Sequence, residues 1–176
     1  KLEGIFRKSP PSDEQHLLSE ALSVGNYDTI NYVTSGYTLA SIIKVFLRHL
    51  TPRLVSPSLW DDIVVLGKQE NNMDVEKAWE LIRTLPEPNF STLMYLLTFV
   101  YNLSLVESNH MSVNSFIIVI GPNLIDKEVP EGADELAVQR ALMNETCFIL
   151  NYFTVLAATV KEHFDISVFK EDFPFV

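Results

Sequence analysis

Phe116-Ile117-Ile118-Val119-Ile120, preceded by Ser112 and closed by Gly121-Pro122, is the stretch on which the fold class turns. By propensity this β-branched run reads as a buried strand, and an apolar run so short cannot be resolved by periodicity. A strand needs a partner, however, and no second strand is available elsewhere in the chain. The run is therefore assigned to a helix and the chain to the all-α class.

Working outward, Asn89 or Ser91 opens a strongly apolar helix through Leu93, Leu96, Leu97, Val100 and Leu103 that ends near Glu107-Ser108-Asn109. Its near-uniform hydrophobicity places it in the centre of a bundle. Downstream, Asp126 to Gly132 is an acidic loop, and a helical pattern runs from Asp134 to about His163, with a break at Asn144 left open. The tail, residues 164–176, carries four phenylalanines among acids and is expected to fold back onto the body.

Upstream, Asp74 caps a helix bearing Val75, Ala78, Trp79 and Ile82, and Ser56-Pro57 is an N-cap with proline at the first helical position, ahead of Trp60, Ile63 and Val64. Both tryptophans are read as core. Over Tyr37 to Leu50, Leu39, Ile42, Ile43, Phe46, Leu47 and Leu50 form one apolar face, with Lys44 and Arg48 on the other side. Two cations at i and i+4 repel by about 0.2–0.5 kcal/mol, so the helix alone has no use for the pair. A cation near a helix C-terminus is ordinary, and an anion-directed patch is the alternative. Asn26 to Gly36 reads as loop. Ser12-Asp13-Glu14-Gln15 reads as a capping box opening a short amphipathic helix that stops at Gly25. One domain of about seven to nine helices, over residues 1–176, accounts for the pattern.

Composition narrows the function. The chain has 176 residues, 47% of them apolar, and a formal charge of −10, which argues against a general nucleic-acid or acidic-membrane surface. Its one cysteine, Cys147, lies in an apolar segment, is read as buried, and points to a reducing compartment, so a cytoplasmic location is expected. The apolar stretch Leu93 to Leu105 is too short to span a bilayer. With six glycines there is no phosphate-cradling loop, and the four histidines lack metal-ligand spacing, so neither a cofactor of its own nor a metal is expected.

What remains is Glu3-Gly4-Ile5-Phe6-Arg7-Lys8-Ser9-Pro10-Pro11. Ile5 and Phe6 are bulky enough to anchor the segment, Gly4 lets the backbone turn, and the two prolines stiffen the chain beyond Ser9, so Arg7 is expected outward on a short loop. A planar, permanently charged fork suits phosphate.

Four separated blocks resemble one family, the Rho-family GTPase-activating (RhoGAP) domain: Gly4-Ile5-Phe6-Arg7, Lys44 through Arg48, Leu85 to Asn89, and Asn109-His110-Met111 followed by Gly121 to Leu124. Their order and spacing agree over roughly residues 3 to 125. The resemblance implies an all-helical domain that docks on a Rho- or Rac-type small GTPase and accelerates GTP hydrolysis. Arg7 takes the position of an arginine finger inserted in trans; Lys44 and Arg48 take positions that support it and help contact the GTPase. Asn109 matches the asparagine opening the Asn-x-Met block, and Ser115, with Asn114 beside it, aligns with a GTPase-contacting asparagine. GTP and Mg would be carried by the partner. The domain is expected to be a monomer that does not insert into membranes, recruited to them by domains outside this chain. Pro10 stands where the family has glycine, Leu50 to Leu54 departs from its Leu-Pro-Glu-Pro-Leu, and the family's first helix is missing before Lys1; the chain is expected to be a fragment of a longer protein. A GTPase-binding module that keeps the fold without accelerating hydrolysis is the competing reading.

Overall fold

The computed structural model describes residues 2–129, 132–165 and 167, except the side chain of Glu135. Seven α-helices, with no strand among these residues, are α1 Ser12–Ser23, α2 Gly36–His49, α3 Trp60–Gly67, α4 Val75–Ile82, α5 Glu87–Ser104, α6 Val113–Ile120 and α7 Glu135–His163. Short 3-10 turns join them at Tyr27–Tyr32, Pro57–Leu59, Glu70–Asn72, Glu107–Asn109 and Gly121–Asn123. The Phe116–Ile120 run is helical, within α6. Ser112 caps it, its Oγ accepting from the Ser115 amide at 3.2 Å.

As expected, α5 is central, burying Leu93, Met94, Leu96, Leu97 and Val100, and α7 is the spine it packs on. Helix α7 runs unbroken for 29 residues and packs against α3, α4, α5 and α6. Tyr152, Phe153, Leu156, Ala157 and Val160 are fully buried along it, meeting Ile63 of α3, Trp79 and Ile82 of α4, Leu93 and Leu97 of α5 and Ile117 of α6 in one core. It is also the one described helix long and apolar enough, by length and composition, to cross a membrane. Polar tips fix its register. Tyr152 donates to the Ala78 carbonyl at 2.7 Å, Trp79 Nε1 to Thr159 at 3.0 Å, and Trp60 Nε1 to Glu145 at 2.7 Å. Burial pushes the Glu145 carboxyl up, but the hydrogen bonds from Lys127 and Trp60 outweigh it and hold the group below its ordinary value.

Several local expectations change. The capping box does not form: the helix starts one residue early, with Pro11 at the N-cap and no side-chain bond, so Ser12 and Gln15 cannot make the reciprocal pair. Glu14 accepts from the Thr34 amide and hydroxyl and from Thr38, a long-range tie between α1 and α2. The Asn26–Gly36 loop contains a 3-10 turn, and α5 starts at Glu87, since Pro88 needs no amide partner in a first turn. On α2 the buried positions are Thr38, Ala40 and Leu47, while Phe46 is 58% exposed, because the helix is covered on more than one side. Cys147 is exposed, on a part of α7 that faces away from the core. The expected tail lies largely outside the described residues; Phe164, where it begins, meets Phe90 edge-on.

Gly67 is what lets α3 approach α7. A Cβ there would sit 2.1 Å from the Phe148 carbonyl oxygen, and its own carbonyl accepts from Asn151 at 2.8 Å. At Gly121 a Cβ would meet only the end of the Leu150 side chain, at 2.7 Å. Urea unfolding should therefore rank the two alanine variants, with Gly67→Ala costing about 3 kcal/mol, the upper end for overpacking, and Gly121→Ala about 1 kcal/mol. The reverse order would mean that α3 and α7 are not in backbone contact.

Glu14 supplies a pH signature. The Thr38 hydroxyl, then the Thr34 amide, hold its carboxyl below the ordinary 4.5. A lowered folded-state value means that the bonds stabilise fully above the unfolded value and are lost as pH falls through the folded one. Thermal melts of Glu14→Gln should lose the part of the wild-type pH dependence that lies below 4.5 and fall less steeply with acid. Parallel acid limbs would mean that the tie does not form in solution.

Candidate functional site

The Arg7 loop is built by its neighbours. Gly4 turns at φ +65°, and its amide donates to the Asn109 carbonyl at 2.7 Å. The Gly4 carbonyl in turn accepts from the Arg7 amide at 3.0 Å and the Lys8 amide at 2.9 Å, closing a tight turn. Between them Phe6 sits at φ +68°, a region in which a bulky residue is strained by about 1–2 kcal/mol. Its ring, 1% exposed, meets Phe99 at 6.3 Å and Phe116 at 5.9 Å, both edge-on. Burying such a ring is worth about 1.5–3 kcal/mol, which offsets the strain.

Two side chains of α2 hold the loop from below. Tyr37 donates to the Glu3 carbonyl at 2.9 Å, and Lys44 Nζ to the Phe6 carbonyl at 2.6 Å. Lys44 is half-buried, and burial first, then the charge of Arg48, pulls its pKa below the ordinary 10.5. Arg48 turns elsewhere: its Nε donates to Asn123 Oδ1 at 3.0 Å. Asn123, 3% exposed, spends its amide on the Val119 and Ile120 carbonyls, both at 3.1 Å, closing the end of α6. The two cations therefore part, one toward the loop and one toward the turn after α6.

The Arg7 side chain is exposed and makes no hydrogen bond or ion pair among the described residues. Its terminal nitrogen lies over Gly4, 3.4 Å from where a Cβ would stand. Lys8 is paired with Glu3 at 3.3 Å. No cluster of three His, Cys, Asp or Glu side chains that could hold a metal occurs among the described residues.

With this geometry in view, known proteins give a consistent answer. A family model described as the RhoGAP domain matches residues 1–129. The chain belongs to the RhoGAP domain family. It is 31% identical over 135 residues to mouse (Mus musculus) Rho GTPase-activating protein 25, covering 74% of this chain and 21% of that protein. It is 30% identical over 125 residues to human (Homo sapiens) Rho GTPase-activating protein 44, covering 70% and 15%. The chain thus spans about a fifth or less of these relatives. Among solved structures, the BH domain of GRAF, the GTPase regulator associated with focal adhesion kinase, superposes with a TM-score of 0.74 over 92% of this chain and 83% of that one. At 21% identity it speaks for the shared fold.

Within this RhoGAP domain, the residues singled out in the sequence fall into two groups. Arg7, Lys44 and Asn109 converge on the N-terminal loop. Asn109 does so from inside: it is 4% exposed, its side chain donating to the Leu103 carbonyl at 2.6 Å and accepting from the Met111 amide at 2.7 Å, which leaves its backbone carbonyl aimed at Gly4. Asn114 and Ser115 lie on the first turn of α6, beside Phe116. Asn114 is exposed and accepts from Thr154 of α7 at 3.4 Å, and Ser115 Oγ lies 3.0 Å from Ser112 Oγ. Arg48 reaches neither group and belongs with Asn123. Sequence reasoning assigned no role to Asn123, Tyr37 or Phe99. The signal for Asn123 was its place in the Gly121 to Leu124 block, where the resemblance lay but no role was given to the amide.

If Lys44 is what steadies the loop, Lys44→Met, which keeps the aliphatic bulk, should leave the melting transition nearly in place yet speed hydrogen exchange at the Arg7 and Lys8 amides by about tenfold or more, the equivalent of one bond from a charged donor. Unchanged exchange at those amides would show that Phe6 alone anchors the turn.

Proposed function

We propose that this RhoGAP domain binds a GTP-loaded Rho-family GTPase, of Rho or Rac type, and accelerates hydrolysis by inserting Arg7 into the partner's site. The observation that carries the reading is an exposed guanidinium, without a partner among the described residues, at the tip of a turn whose adjacent residue is driven into the core. An arginine so placed can neutralise charge that develops on the transferred phosphoryl group, and little entropy is lost when the loop is already ordered. The partner brings GTP and Mg, so the domain needs no cofactor and is an activator, not a self-contained enzyme. Lys44 steadies the loop through the Phe6 carbonyl, and Asn109 through Gly4. Arg48, Asn114 and Ser115 contribute to docking. The domain acts as a cytoplasmic monomer that binds no nucleic acid, and membrane recruitment falls to segments outside it.

One observation bears on the second reading, a module that binds a GTPase without activating it. Ser115 is shorter than the asparagine it replaces, and its hydroxyl is turned toward Ser112. One contact to the partner is then missing or bridged by water, which lowers affinity by about one net hydrogen bond, ~0.5–1.5 kcal/mol, and leaves the chemistry of Arg7 untouched. Reduced activity follows from that loss, not silence.

Single-turnover GTP hydrolysis by a panel of Rho-type and Ras-type GTPases separates the readings. A finger supplied in trans is worth about 10³–10⁵ in rate, so Arg7→Ala should lose stimulation by about 10³-fold or more while affinity for the GTP-loaded partner changes less than about threefold. Equal losses of rate and affinity would make Arg7 a docking residue; no stimulation by the unaltered domain would leave the binding module.

A further inference from the structure

We infer that Ser9 is a regulatory phosphorylation site, and that a phosphate there captures Arg7 and withdraws it from use in trans; this rests on the role of Arg7 proposed above. Ser9 is exposed, and its hydroxyl makes no hydrogen bond among the described residues. It lies in the irregular segment between the Arg7 turn and α1. Pro10 comes next, and the residue before a proline is held out of the helical region, so the serine is presented as an extended Ser-Pro step. That is the form in which a proline-directed kinase can take a hydroxyl from a folded protein. Ser9 Oγ then attacks the γ-phosphorus of a nucleoside triphosphate, the bond from that phosphorus to the bridging oxygen breaks, the diphosphate leaves, and the hydroxyl proton passes to the kinase's base.

Three Ser/Thr-Pro steps occur in the chain, at Ser9, Thr51 and Ser56. Ser56 is committed, its Oγ capping Pro57–Leu59 and lying 2.8 Å from the Ser58 hydroxyl. Thr51 has no such conflict, but only Ser9 stands two residues from Arg7. Two residues span about 7 Å at most, and an arginine side chain closes that distance. The Arg7 guanidinium has no competing partner among the described residues, whereas Lys8 is already paired with Glu3. A phosphate offers three acceptor oxygens and about −1.5 to −2 charge, a match for the bidentate fork of arginine. Held on the same short loop, it competes with a partner's phosphoryl group at an effective concentration in the millimolar range or above. It also deepens the charge of a chain already at −10, weakening approach to an anionic site.

The test uses the intact domain with phosphoserine installed at position 9, compared with the unmodified chain and with Ser9→Ala. Stimulated hydrolysis should fall at least tenfold with the phosphate and stay within about twofold for Ser9→Ala. Phosphorus NMR gives a readout independent of hydrolysis: the phosphate's second ionisation, ordinarily near 6, should shift down in the phosphorylated domain and return to its ordinary value in the same protein carrying Arg7→Ala. A proline-directed kinase should modify Ser9 in the folded domain, and Pro10→Ala should abolish that. Full stimulation by the phosphorylated domain overturns the inference, as does a phosphate that titrates identically with and without Arg7, or a kinase that modifies the unfolded chain only. Should the unmodified domain fail to stimulate any GTPase, the functional proposal fails, while the NMR titration still decides whether the phosphate captures Arg7.

Discussion

The placement of Phe6 is the constraint on which the site depends. One residue is asked to do two incompatible things, adopt a left-handed backbone and fill a core position between Phe99 and Phe116. The strain of the first is of the same order as the gain from the second, so the turn is stable only while the aromatic pocket is intact. Core and loop are consequently one object. The residue after Phe6 cannot enter the interior without dragging the ring out, and Arg7 is exposed as a direct result of its neighbour's burial.

The Lys44–Arg48 pair makes sense only in three dimensions. On a lone helix the two cations repel. In the fold each has its own acceptor, the Phe6 carbonyl for Lys44 and Asn123 Oδ1 for Arg48. The cost appears in Lys44, whose charged form is disfavoured by burial and by Arg48. A half-buried ammonium on a backbone carbonyl is a poor way to stabilise a helix and a good way to fix a loop, since removing it leaves that carbonyl unanswered.

Legibility in the sequence followed the range of the interactions. The caps at Ser56 and Asp74 and the burial of Phe6 could be read because proline, a short polar side chain or an aromatic carries its meaning within a few residues. The helical assignment of Phe116–Ile120 came from an argument about the whole chain, the absence of a partner strand. What could not be read was long-range. Glu14 reaches Thr34 and Thr38, and α7 joins α5 at the centre because its neighbours, not its composition, decide what it buries. Cys147 went the same way: an apolar stretch of sequence does not say which side of a long helix faces out. At the site, Asn123 stood in the Gly121 to Leu124 block, but its role was hidden because its partner Arg48 lies 75 residues away in sequence.

The choice between Arg7 and Lys8 follows from the same turn. Both amides bond to the Gly4 carbonyl, so the two cations leave the backbone side by side. Glu3, on the near side of the turn, pairs with Lys8 at 3.3 Å. Among the described residues the loop thus neutralises one of its charges and leaves the other unpaired, and that one is a planar fork, the side chain suited to holding an oxyanion at two points. An ammonium in its place would present a point charge with a tighter hydration shell, harder to strip on entering a closed site. The acidic balance of the chain bears on the same point, because an exposed guanidinium on an anionic body has little general affinity for polyanions.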